Sequence, residues 1–301
     1  MSGLFNVSKK FFSSWKPNLP KHKIVFNTTQ YHQAHAIWNL KDAENVQQTH
    51  LKPKGFSDRA ANLYCVLFRY FFDFVSGYKH GKMTESLYLR RFIFLETIAG
   101  VPGMVGGMVR HLNSLRNLRH DGGWIHHLVE EAENERMHLL TFLRIREPGI
   151  FMRLSIVGTQ FIFVLWYSIF YSFFPKTSHR FVGYLEEQAV LTYTMAIKDL
   201  DEGRLEKWAN LQAPSDAIKY WGLGKEAKFR DMLLSIRADE ANHREYNHHF
   251  ADIPGDEPLD GHKIFISTDF VGEANNKWED EEVKVQVKVE AKEEENKTKT
   301  N

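Results

Sequence analysis

Between about residues 58 and 250 the chain alternates long, apolar-rich stretches with short breaks of Gly and Pro. This pattern predicts six helices and almost no strand. The first, DRAANLYCVLFRYFFDFV from Asp58 to Val75, is apolar nearly all round, with Arg69 and Asp73 spaced i,i+4 on one side. The second runs from Thr84 to about Asn117, where Pro102 within VPGMVGG removes a backbone hydrogen bond and bends the helix. A third extends from the Asp121-Gly-Gly turn to Arg146 and is ended by Pro148-Gly149. The fourth covers Phe151 to Phe174, the fifth Ser178 to Glu202 and the sixth Ser215 to Phe250, with Pro175, Gly203 and Pro254 as stops. The fourth contains LSIVGTQFIFVLWYSIFYSFF, 21 residues without a charge, long enough to cross a bilayer.

Both ends differ from this pattern. No Asp or Glu precedes Asp42, while Lys9, Lys10, Lys16, Lys21 and Lys23 punctuate Leu4, Phe5, Val7, Phe11, Phe12 and Trp15. Such a segment reads as a mitochondrial presequence or as an ordinary basic arm. From about Asn275 the tail is charged and nearly free of aromatics, which predicts disorder. Its VKVQVKV stretch alternates like a strand but lacks a large apolar face. The expected organisation is a basic arm over 1–50, a helical domain over 51–252 and a charged tail over 253–301.

Composition narrows the classes. Lys and Arg number 39 against 38 Asp and Glu, so the net charge of +1 offers no basic surplus for nucleic acid. A mean hydropathy of −0.42 excludes a many-span membrane protein. The single cysteine, Cys65, can form neither an intramolecular disulfide nor a zinc-thiolate cluster. Fifteen His beside many Glu suit first-row metals instead.

The chemistry lies in carboxylates and imidazoles at helical spacing. Glu-x-x-His places both side chains on one helix face, about 60° apart, within reach of one metal ion. The pattern occurs at Glu135/His138, Glu240/His243 and Glu245/His248. About one match is expected by chance, so order and context carry the signal. The first two pairs lie on separate helices, each preceded by a helix with a Glu in an apolar setting: Glu96 in FIFLETIAG and Glu186 in FVGYLEEQAV. The order Glu, Glu-x-x-His, Glu, Glu-x-x-His is the ligand set of ferritin-like di-iron carboxylate four-helix bundles. Glu187 competes with Glu186; spacing prefers Glu186, because Tyr193 follows it at i+7. Glu245/His248 is offset by five residues, about 140° around the helix, and is expected to face away into solvent.

At this point LETIAGVPGMVGGMVRHL, EAENERMHL, HRFVGYLEEQAV and RADEANHR resemble the signature blocks of the mitochondrial alternative oxidases, the cyanide-insensitive ubiquinol oxidases. The resemblance covers about Trp38 to Phe250. It implies two non-haem irons per chain held by Glu96, Glu135, His138, Glu186, Glu240 and His243. It implies a non-proton-pumping reaction in which two ubiquinol molecules reduce dioxygen to two waters. Tyr193 matches the family's redox-active tyrosine, and Asn134, His179, Tyr220, Trp221 and Asp239 match hydrogen-bonding residues behind the ligands. A core role is the competing reading for Tyr220 and Trp221. Arg69, Asp73, Arg91, Leu95, Ala189 and Thr192 match the quinol pocket, beside which Gln188 stands where the family often has Glu.

The resemblance also answers the membrane question. A span through the fourth helix would put Glu96, Glu135 and His138 on one side of the bilayer and Glu186, Glu240 and His243 on the other. The expected architecture is therefore an all-α di-iron bundle with two additional helices, the first and fourth, lying in one leaflet, monotopic, with basic residues such as Arg153 at the interface. The implied setting is the matrix face of the mitochondrial inner membrane, as a homodimer. Plant relatives are regulated through an N-terminal cysteine; Cys65 lies inside the first helix, so such regulation is expected to be absent. The alternatives are a plastid-type plastoquinol oxidase and a ferritin-like ferroxidase.

Overall fold

A computed structural model describes residues 35–76, 78, 83–255 and 257–259 of the chain. The basic segment before residue 35, the VKVQVKV stretch and the charged tail from Asn275 lie outside the described residues. Among the described residues the chain forms nine helices and no strand. They are α1 (Leu40–Glu44), α2 (Phe56–Ser76), α3 (Glu85–Asn117), α4 (Trp124–Leu143), α5 (Ile150–Phe173), α6 (Pro175–Asp201), α7 (Glu206–Ala209), α8 (Ser215–Tyr220) and α9 (Phe229–Asp252).

The central helices associate as two pairs, α3 with α4 and α6 with α9, while α5 lies against α3 and α2 against α6. The α3–α4 pair approaches closely because α3 presents glycine there: a Cβ on Gly103 would sit 2.4 Å from the Leu128 carbonyl oxygen. Pro102 lies inside α3, as expected, and Thr84 caps its start by accepting a hydrogen bond from the Leu87 N–H. One core gathers Phe92, Phe142, Tyr193 and Phe229 at one end of the bundle. A second joins Phe72, Phe163, Tyr167 and Phe181 from α2, α5 and α6.

Two boundaries differ from the sequence reading. Pro175 follows the end of α5, as expected, but itself opens α6, three residues before the expected start at Ser178, at a position whose N–H has no intrahelical partner anyway. The sixth expected helix is broken into α8 and α9. Between them Gly222 takes the left-handed conformation (φ 60°), and Ala213 and Phe229 donate backbone hydrogen bonds to Ala227 and Leu211. A glycine-bearing turn with paired backbone competes successfully with helix continuation.

Helix α5 buries Phe163, Tyr167 and Tyr171, packs Trp166 and Phe170 partly against the core, and exposes Leu154, Val157, Phe161, Ile162, Leu165, Ile169 and Phe151, the last at 84%. Helix α2 likewise exposes Leu67, Tyr70, Phe71 and Phe74. Both α3 and α5 are long and apolar enough to cross a membrane, yet α3 is largely buried in the protein. A span through α5 is incompatible with this architecture, because helices before it (α3, α4) and after it (α6, α9) contribute to one cluster of ionisable groups. Residues 35–50, the described part of the arm expected over 1–50, pack on the bundle. There Arg237 donates to the Ala43 carbonyl and Arg244 to that of Gln47.

Candidate metal centre

Four helices converge on one buried group of side chains. Helix α3 supplies Glu96, α4 supplies Glu135 and His138, α6 supplies Glu186, and α9 supplies Glu240 and His243; none is more than 6% exposed. The i,i+3 spacing puts each Glu-x-x-His pair on a single inward face. His138 Nδ1 lies 3.5 Å from Glu96 Oε2, 3.4 Å from Glu135 Oε2 and 3.4 Å from Glu240 Oε1. His243 Nδ1 lies 2.8 Å from Glu135 Oε1 and 4.0 Å from Glu240 Oε2.

The six residues divide into two overlapping sets whose donor atoms lie within 4.8 Å of one another: Glu96, Glu135, His138 and Glu240, and Glu135, Glu186, Glu240 and His243. Glu135 and Glu240 belong to both. A donor set of four carboxylates and two imidazoles with two shared carboxylates has the composition of a two-ion site, with the shared groups as bridges.

The electrostatics call for positive charge. Burial, reinforced by Glu135 and Glu240, pushes Glu96 well above the usual carboxylate range, and burial with Glu240 and Glu135 does the same to Glu186. Burial also raises Glu135, but the neighbouring His138 and His243 outweigh it and hold that carboxyl low. Glu96 Oε2, both Glu135 carboxylate oxygens, His138 Nδ1 and His243 Nδ1 are buried without a well-formed hydrogen bond, the closest approach among them being the 2.8 Å between His243 Nδ1 and Glu135 Oε1. So many orphaned donor atoms facing one another fit metal cations, which would neutralise the carboxylates and use the idle lone pairs.

Behind this group Asp239 organises a second layer. Its Oδ2 lies 3.0 Å from His138 Nε2 and accepts from Trp221 Nε1 at 2.8 Å and Asn134 Nδ2 at 3.1 Å. Its Oδ1 accepts from Trp38 Nε1 at 2.5 Å, and Asn134 Nδ2 also donates to the Tyr220 hydroxyl. Four of the five residues expected behind the ligands, Asn134, Tyr220, Trp221 and Asp239, thus form one network. His179 belongs to another: it pairs with Tyr171 and with Asn247, whose amide reaches Glu131 and the His243 carbonyl. Tyr193 is buried, and its hydroxyl donates to Glu96 Oε1.

An apolar cavity ends on this cluster, with Glu96, Glu186, Glu240 and Tyr193 in its wall. Of the six residues expected in a substrate pocket, Arg69, Arg91, Leu95, Ala189 and Thr192 line it. Asp73 is instead the clamp behind the two arginines, 3.0 Å from Arg69 Nε and 2.7 Å from Arg91 Nη1. Gln188 Oε1 accepts from Arg69 Nη1 at 2.8 Å.

Glu186 and Glu187 differ in their partners. Glu186 faces the cluster, whereas Glu187 accepts from the Leu51 N–H and meets His50 and His248. This corrects the expectation that the Glu245/His248 face is solvated. Glu245 is exposed, but His248 is buried against Gly183, where a Cβ would lie 2.5 Å from His248 Nδ1. The expectation failed because angular offset from one face says nothing of what packs on the other. Sequence reasoning also missed Trp38, Asn247 and Glu131, whose only signals are a lone indole in a polar stretch and unremarkable positions in charged runs.

A family model described as alternative oxidase matches residues 38–252. Among curated relatives, a mitochondrial alternative oxidase of Trypanosoma brucei brucei is 53% identical over 216 residues, covering 72% of this chain and 65% of the relative. That of Emericella nidulans is 51% identical over 243 residues, covering 77% and 68%. That of Yarrowia lipolytica is 47% identical over 229 residues, covering 73% and 65%. The chain therefore matches about two thirds of the length of these relatives.

Proposed function

The chain belongs to the alternative oxidase family, and on that premise we propose that it is a cyanide-resistant terminal oxidase that takes electrons from ubiquinol and reduces dioxygen to water. The observation that carries this reading is the contact between an apolar cavity and the buried carboxylate–imidazole cluster, with Glu96, Glu186 and Glu240 common to both. The family is one of di-iron carboxylate proteins, and the six clustered side chains have the right chemistry for two irons.

Glu96, Glu135, His138, Glu186, Glu240 and His243 are the proposed ligands, with Glu135 and Glu240 shared. Bound irons would supply the electron exchange with dioxygen that no side chain here can perform alone. The protein's own residues do the rest. Asp239 accepts a hydrogen bond from His138 Nε2, fixes the ring and leaves Nδ1 as the donor to metal. Tyr193 holds its phenolic proton against Glu96 Oε1, where electron and proton can leave together. Burial and Glu96 raise the phenol's pKa, so it stays protonated until then.

Arg69 and Arg91, clamped by Asp73, form the cationic part of a largely apolar cavity and would orient a quinol headgroup. Gln188 preserves a hydrogen bond to Arg69 but cannot ionise, so it carries no proton. Two ubiquinols and one dioxygen would yield two ubiquinones and two waters, without proton pumping.

The exposed apolar faces of α2 and α5 support a monotopic seat in one leaflet, which suits a lipid-soluble substrate. The relatives' mitochondrial names support that organelle, and we place the enzyme on the matrix face of its inner membrane. Met104, Met108, Leu112 and Leu115 form an exposed stripe on α3 that supports a homodimer. Residues 51–252, together with the segment from residue 35 that packs on them, would be the oxidase domain, flanked by a basic arm and a charged tail. A ferroxidase reading leaves the cavity and the apolar faces without a purpose.

Membranes containing the full chain test the proposal through oxygen uptake driven by ubiquinol-1. Uptake that persists with cyanide supports it; uptake absent, or abolished by cyanide, refutes it.

A further inference from the structure

The cluster has a second approach, chemically unlike the first. A narrow cleft reaches His243, and its wall includes His127, Glu130, Glu131, Asn134 and Asn242. Whereas the apolar cavity carries Arg69 and Arg91, this cleft has neither Lys nor Arg among its described lining residues. Its polar side chains form two stripes at helical spacing. On α4, His127, Glu131 and Asn134 descend at i, i+4 and i+7 towards His138; on α9, Asn242 and Tyr246 flank His243.

Burial is graded along it. The side chains of His127 and Glu130 are 20% and 19% exposed, while Glu131, Asn134, Asn242 and His243 are 4–6% exposed. Three of its donor atoms, His127 Nδ1, Asn134 Oδ1 and Asn242 Oδ1, are buried without a hydrogen-bond partner. Glu131 engages the Asn247 amide at 2.9 Å, and Glu130 Oε2 stands 3.9 Å from His127 Nδ1. Orphaned lone pairs beside carboxylates, uncompensated by Lys or Arg, attract a cation and repel both an anion and an apolar headgroup.

We propose that this cleft is the route by which divalent metal ions enter the protein, with Glu130 and Glu131 as transit ligands that pass the ion to His243 and Glu135. The route separates metal delivery from the apolar cavity, so neither ligand traffics through the other's entrance. Carbonyl oxygens of Asn134 and Asn242 offer a dehydrating ion neutral oxygen contacts between the mouth and the permanent ligands. The inference rests on the proposed ligand set.

The test is the rate at which the full chain, stripped of metal by a chelator and held in detergent, takes up Co²⁺, followed by cobalt d–d absorption. Glu130→Gln and Glu131→Gln are compared with the parent, with circular dichroism confirming the fold. Glu130 is the safer variant because it lies at the half-buried mouth. The uptake rate is expected to fall about tenfold in each variant, within the range of electrostatic focusing, while the final cobalt content stays unchanged. Added salt should slow the parent more than the variants. Equal rates, or equal salt dependence, would overturn the proposal. A parent that binds no cobalt would overturn the ligand set itself, a distinguishable failure.

Discussion

His138 Nε2 stands 3.0 Å from Asp239 Oδ2, and this contact turns the ring so that Nδ1 faces Glu96, Glu135 and Glu240. The Asp239 carboxylate hydrogen-bonds to one proposed ligand, His138, and its own pKa is held below the usual range: burial raises it, and His138 and Trp38 more than offset that.

Asp239→Asn should therefore keep the fold yet weaken metal retention by about 10–100-fold, the usual cost of losing a ligand's orienting partner. Competition with a chelator of known affinity measures it. Unchanged retention would show that the ring is held by packing alone.

The adjacent carboxylates Glu186 and Glu187 should separate cleanly. Glu187→Gln disturbs the anchoring of the 35–51 segment through Leu51 and His50 and should cost about 1–3 kcal/mol of stability with iron content retained. Glu186→Gln should lower iron content with little loss of stability, because it relieves a buried carboxylate crowded by Glu240. Urea titration and iron assay on both variants check the assignment, and the reverse pattern would exchange the two roles.

Tyr193→Phe removes the phenol that donates to Glu96 and nothing of the stacked ring against Phe92. Stability should change by about 1 kcal/mol, whereas oxygen uptake should fall at least about tenfold if the phenol supplies an electron and a proton. A variant with full turnover would reduce Tyr193 to a packing residue.

His179 sets an acid limit on stability. Burial, with Arg110 of α3 nearby, lowers it from its ordinary value of 6.5 to about 4, although the bond to Asn247 acts the other way. Tyr171 of α5, Trp124 of α4 and Phe250 of α9 also face the ring, and none carries charge. Because the unfolded chain takes up the proton first, stability should be lost as pH falls from about 6.5 towards 4, by up to about 3 kcal/mol. His179→Gln should flatten that part of the profile in urea titrations; an unchanged slope would assign the acid sensitivity to other groups.

The clustered side chains are legible because Glu-x-x-His is a local rule: three residues on a helix fix a shared face, and apolar neighbours mark Glu96 as buried. What sequence left open required distant partners. Glu187 is distinguished from Glu186 by Leu51 and His50, more than 130 residues away along the chain. His248 was assigned to solvent because its offset from His243 was read without knowing that α6 supplies Gly183 opposite it. The break between α8 and α9 depends on backbone pairing of Leu211–Ala213 with Ala227–Phe229, which helical periodicity does not record. The polar cleft was invisible for the same reason, since its two stripes belong to helices about 100 residues apart.

The most direct test of the central claim is oxygen uptake driven by ubiquinol-1 with cyanide present, measured alongside iron content in the parent and in Glu135→Ala, His243→Ala and Glu245→Ala. Glu245 is exposed and pairs with Arg244, outside the cluster. The account predicts about two irons per chain and cyanide-resistant uptake in the parent and in Glu245→Ala, with both lost in the other two. Equal losses in all three variants, or uptake that survives without Glu135 and His243, would contradict it.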